Sequence, residues 1–98
     1  MSQPVTVIAR MQAKPDQADE LRAALDVLVT ETRQEAGCTT YDLHVGVDDP
    51  TLFVMYEVWE SREHLTAHGE TDHIARFRER AATLLEAPGQ VDIVRPVD

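Results

Sequence analysis

One cysteine in 98 residues, Cys38, is too few for an intrachain disulfide, and Met1 leads into polar residues without a cationic stretch and an apolar signal region. A reducing cytoplasm is therefore the expected compartment. No apolar run comes near the roughly 18 residues that a membrane span requires. Positive charge is scarce, with nine Lys and Arg against eighteen Asp and Glu and a formal charge of -9. Such a balance repels nucleic acid and anionic membrane, so neither is expected as a partner. It favours a neutral or weakly acidic small molecule as ligand, since any anion would need a local basic pocket. Linkers, repeats and low-complexity stretches are missing too, which leaves one domain over residues 1–98. A hydrophobic content of 43% lets a domain of this size bury about two-thirds of its unfolded surface, enough to fold alone without much margin.

What is present reads as seven elements. Val5 to Met11 is rich in β-branched residues and ends at Lys14-Pro15-Asp16, where proline and an acidic residue suit the first turn of a helix. Ala18, Leu21, Leu25, Leu28, Val29 and Thr32 follow at helical spacing, and Ala36-Gly37 offers a left-handed stop. Cys38 to Val47 alternates like a half-exposed edge strand, with Tyr41, Leu43 and Val45 on one side. Asp48-Asp49-Pro50 turns the chain into Leu52 to Trp59, a strand apolar on both faces. Ser61 caps a short helix through Leu65 and His68 that Gly69 interrupts. Thr71 or Asp72 caps a second helix with Ile74, Phe77, Ala81 and Leu84 inward, and Pro88-Gly89 releases a last strand, Val91 to Val94.

The order βαββαβ predicts an α+β, ferredoxin-like fold: an antiparallel sheet with its first and third strands central and its helices on one face. Both central strands are apolar on both sides, so the uncovered face calls for a second layer. A homodimer joined sheet to sheet supplies one.

Phe53, Met55, Glu57 and Trp59 share one face of the third strand by parity, beneath the helix that carries His68. A carboxylate among apolar neighbours should have a raised pKa unless Arg10 or Arg76 pairs with it. Glu57 then serves either as a polar site group or as half of a structural ion pair. His68 ends a helix, where it stabilises the macrodipole or turns back over the sheet as a base. His73 near a helix start is either a second base or a packing residue beside Phe77. Trp59, Phe53, Met55, Phe77 and Tyr41 are core residues or the lining of a pocket for a small aromatic substrate. His64 and His68 have the i, i+4 spacing of two helical metal ligands, but no third ligand at a defined spacing supports them, and no metal is expected. Cys38 reads as a packed thiol.

Tyr56-Glu57-Val58-Trp59, followed by Leu65, His68, His73 and Phe77, resembles the Tyr-Glu-x-Trp, Leu-x-x-His, His-x-x-x-Phe signature of the antibiotic biosynthesis monooxygenase (ABM) family. Gly37-Cys38, Tyr41 and Asp49-Pro50 fit further positions of it. The resemblance implies a dimeric α/β barrel. It also implies oxidation of a quinol or related polycyclic phenol by molecular oxygen, with no cofactor. On that reading His68, His73 and Glu57 are catalytic, and Trp59, Phe53, Met55, Phe77 and Tyr41 bind the substrate. Haem-degrading members rely on an asparagine in the first strand, and this chain has no asparagine. The alternatives are an isomerase of a small carbonyl compound and a non-catalytic dimeric ligand-binding or stress-associated module.

Overall fold

The β-branched opening forms strand β1, Val5–Gln12, in the computed structural model, which describes residues 3–98. Met1 and Ser2, where the search for a leader begins, lie outside the described residues. Helix α1, Ala18–Thr32, buries Leu21, Leu25, Leu28 and Thr32 on one stripe and carries Asp19 and Glu20 in its first turn, where the helix dipole favours them. It ends earlier than the Ala36-Gly37 stop suggests. The Arg33 backbone stays helical at the C-cap, its N–H donating to the Val29 carbonyl at 3.0 Å, while its side chain holds the strand that follows, Nε donating to the Tyr41 carbonyl at 3.1 Å and the guanidinium pairing with Asp42 at 3.0 Å. Gly37 is left-handed as expected, with φ +83, and any Cβ there would lie 2.2 Å from the His64 ring.

β2, Cys38–Val45, stops two residues short of Val47, which is 98% exposed. Val45 faces Phe53 in the last paired position, and Asp49 closes the turn by accepting from the Thr51 N–H at 2.9 Å. β3, Leu52–Trp59, leads into α2, Arg62–Gly69, and α3, Asp72–Ala81. Ser61 Oγ accepts from the His64 N–H at 3.2 Å and caps α2; Thr71 Oγ1 accepts from Ile74 N–H at 3.3 Å and caps α3. Leu84 is buried as predicted but lies past the helix, in a turn whose carbonyl accepts from the Lys14 N–H. β4, Gln90–Val94, is the other edge strand.

The strand order is β2-β3-β1-β4, antiparallel throughout, with the first and third strands central. This is the α+β, ferredoxin-like arrangement expected from the element order. The core lies between the helices and one sheet face, where Val7, Met55 and Trp59 are almost wholly buried. On the opposite face Ile8, Tyr56 and Val94 are exposed. No helix among the described residues is long and apolar enough to cross a membrane.

Candidate active site

Register sets the centre of the site. Tyr41, Glu57 and Val7 lie side by side across β2, β3 and β1 on the helix-covered face. Parity then puts Trp59 beside Glu57, and the indole Nε1–H donates to Glu57 Oε1 at 3.0 Å. Neither of the cations considered for Glu57 reaches it, since Arg76 pairs with Glu31 at 2.9 Å and β1 parity sends the Arg10 side chain to the other face. Burial accordingly raises the Glu57 pKa to about 7, against the Trp59 hydrogen bond, with the charge of Glu35 adding to the rise. A carboxyl group so placed carries a proton at neutral pH about as often as not.

The last turn of α2 brings His68 over this wall, 5% exposed, with its ring centroid 4.8 Å from that of Trp59 and 5.5 Å from that of Tyr41. Its Nδ1 lies 2.7 Å from Glu35 Oε2, and His73 Nε2 approaches the same oxygen to 2.7 Å. A carboxylate oxygen only accepts, so both ring nitrogens are donors there. Neutral His68 therefore keeps its proton on Nδ1 and leaves Nε2 bare. Burial lowers the His68 pKa; the Glu35 hydrogen bond and charge oppose this, and the charges of His73 and Arg78 add to it. The ring is thus favoured in the neutral form that a base needs.

Between sheet and helices lies a cleft of about 820 Å³ that runs out to β4. Tyr41, Met55, Glu57, His68 and Phe77 line it. The other residues singled out in the sequence lie close by without lining it. Phe53 is in the core, Trp59 is wholly buried behind His68, and His73 faces a smaller cavity of about 270 Å³ beyond Glu35. His64 stands apart from His68 and His73, sharing a 2.7 Å hydrogen bond between Nδ1 and Ser61 Oγ. Cys38 is half-buried, and burial pushes its thiol up to about 11, so it stays protonated.

Glu35 is the member that residue-by-residue reading missed. It precedes the left-handed Gly37, in a turn with no helical or strand periodicity, and its partners lie 33 and 38 residues away. Its place two residues before Gly37, one of the positions that fit the family, was the one available signal. Glu35, His68 and His73 are also the described residues whose donor atoms, all within 4.8 Å, could share a metal ion. In the 2.7 Å contacts the two ring nitrogens carry protons and share the Glu35 oxygen, so a metal ion there would have to displace those protons.

Residues 4–80 match the family profile described as Antibiotic biosynthesis monooxygenase. "Putative monooxygenase Rv0793" of Mycobacterium tuberculosis is 40% identical over 98 residues, covering 100% of this chain and 96% of that protein. Its solved structure superimposes with a TM-score of 0.92 at 38% identity, over 98% of this chain and 97% of that one. PA3566 from Pseudomonas aeruginosa gives a TM-score of 0.92 at 38% identity over 100% and 98% of the two chains. "Probable quinol monooxygenase YgiN" of Escherichia coli is 36% identical over 86 residues, 76% of this chain and 82% of that protein.

Proposed function

The chain belongs to the antibiotic biosynthesis monooxygenase family, and from that premise we propose that it oxidises a quinol or related polycyclic phenol with molecular oxygen, with His68 as the base. The observation that supports this most is the placement of His68 on the wall of a largely apolar cleft, with Nδ1 tied to Glu35 and Nε2 bare. The quinol monooxygenase name of the Escherichia coli relative points to the same substrate class.

His68 Nε2 takes the phenolic proton. The phenolate transfers one electron to oxygen, and the resulting radical and superoxide combine to a peroxide at a ring carbon. The imidazolium returns its proton to that peroxide, and loss of water then breaks the O–O bond, removes the hydrogen on the same carbon and leaves a carbonyl. Both oxygen atoms are accounted for, one in the product and one in water. Electrons come from the substrate, so no step asks for another redox group. Glu35 orients the base, and protonated Glu57 donates to the second oxygen of the substrate. Met55, Phe77 and Tyr41 exclude water from the radical pair, while Trp59 and Phe53 support that wall from behind.

The open sheet face fits a second copy of the chain. Val54, Tyr56, Val58 and Ile8 are apolar there, and covering the part of each that is still exposed contributes a fraction of the about 1.5–3 kcal/mol of a complete burial. Two copies packed this way would close into a homodimeric α/β barrel.

Oxygen uptake with reduced naphthoquinones, benzoquinols and anthrones, in the presence of chelator, tests the activity. One oxygen consumed per substrate, with one oxygen atom retained in the product, is expected. Exchange of a substrate proton without oxygen uptake would replace this reading with an isomerase, for which Glu57 and His68 would serve equally as acid and base.

A further inference from the structure

Eighteen carboxylates compete for nine cations in this chain, so an arginine without a carboxylate is not short of candidates. Arg22, Arg33, Arg76 and Arg80 each hold one within 3.3 Å. Arg62 and Arg78 hold none among the described residues, and both line the cleft. Helical periodicity explains the division. On α3, Arg76 and Arg80 point toward α1 and pair with Glu31 and Glu20, whereas Arg78 lies on the opposite stripe with Ile74, Phe77 and Ala81. On α2, Arg62 shares the cleft-facing stripe with Leu65, Thr66 and Gly69. The Arg78 guanidinium has only the Gly69 carbonyl, at 3.4 Å, and its charge is near enough to act on His68. Arg10 also borders the cleft, but its side chain belongs by parity to the open sheet face. The carboxylates that line the cleft are Glu57, at its centre, and Glu86, exposed on the segment leading to β4.

We infer that the substrate is an acidic hydroxyaromatic, a phenol or quinol bearing a carboxylate, whose ring lies in the apolar cleft and whose anionic group is held by Arg62 and Arg78. A guanidinium offers paired donors that match a carboxylate, and Arg62 and Arg78 are exposed residues bordering the apolar cleft, where an anionic group can meet them while the ring is buried. In a chain of charge -9 these two residues supply the local basic pocket that an anionic ligand requires. The inference takes the cleft as the substrate site and so rests on the functional reading above, but binding tests it apart from turnover.

Calorimetric titration of the full chain without oxygen, using 1-hydroxy-2-naphthoate and 1-naphthol, measures the affinity ratio conferred by the carboxylate. At least about tenfold in favour of the carboxylate is expected. The double variant Arg62→Gln, Arg78→Gln should bring the ratio close to one. Arg80→Gln, which removes the same charge from the paired side of α3, should keep it. A ratio near one in the unaltered protein, a ratio that survives the double variant, or an equal loss in Arg80→Gln would each overturn the proposal. Failure of every quinol to take up oxygen, with the ratio behaving as expected, would remove the oxygenase reading and leave the acidic-aromatic site standing.

Discussion

Along β3, Phe53, Met55, Glu57 and Trp59 are buried, whereas Tyr56 between them is 40% exposed and Val54 and Val58 are only half-buried. The two faces share one backbone, and both are apolar enough for a core. They differ in what the chain itself provides to meet them. Helices α1, α2 and α3 cover the odd-numbered face; above it Glu35, in the turn after α1, joins His68 of α2 to His73 of α3, while within the strand Trp59 donates to Glu57. A buried polar cluster is tolerated where its members hydrogen-bond one another. Among the described residues no such layer covers the even-numbered face, and the second copy proposed above would bury its apolar side chains.

Changes to the two faces should therefore separate assembly from chemistry. The largest effect is expected from Val54→Asp, which puts a charge into the proposed interface and should abolish the dimer, as read by light scattering. A variant that still sediments and scatters like the unaltered protein would sink the sheet-to-sheet model.

Next is Glu57→Gln on the covered face. The Glu57 pKa is raised from 4.5 to about 7 in the fold, so its contribution is fully present below 4.5 and is lost as pH rises through about 7. The unaltered protein should lose roughly 3 kcal/mol relative to the Gln variant between those limits, measured by urea unfolding at each pH. Parallel pH dependences would show that Glu57 is not held protonated.

His68→Ala should lower quinol turnover by at least about tenfold with fold and dimer intact. Its effect should shrink at high pH, where the phenol ionises unaided. In the unaltered protein the acid limb should fall below the ordinary histidine value of 6.5, because the His68 pKa is lowered, and the alkaline limb near 7, where Glu57 gives up its proton. Unchanged turnover in the double variant His68→Ala, His73→Ala would exclude histidine catalysis.

Trp59→Phe is the gentlest change. It keeps an apolar wall and removes the donor to Glu57, so it should raise KM by a few-fold (about threefold) and move the alkaline limb upward, since that bond holds the Glu57 pKa down. A limb that stays in place would detach Glu57 from the pH profile.

Periodicity and turn chemistry were enough to read β1 and β3 as strands, α1 from its leucine stripe, the Ser61 cap, and Thr71 as one of two residues able to cap α3, because each rests on residues within a few positions of one another, and the order of the elements then put β1 and β3 at the centre. The ends of elements were less legible. α1 ends at Thr32 with the Arg33 side chain reaching across to β2, and β2 ends at Val45, where the Asp49 turn takes over from the pairing. Strand parity likewise placed Glu57 beside Trp59, whereas only tertiary packing decided which aromatic residues face the cleft and which stand behind it. The sequence by itself determined the alternating faces and the residues able to do proton chemistry, since backbone geometry projects side chains at fixed intervals. Tertiary structure alone decided that Glu35 joins His68 and His73, and that the helix stripes bearing Arg62 and Arg78 border the cleft while the stripe bearing Arg76 and Arg80 meets α1. Those juxtapositions depend on how helices pack across the sheet, a property of the whole chain that no local spacing encodes.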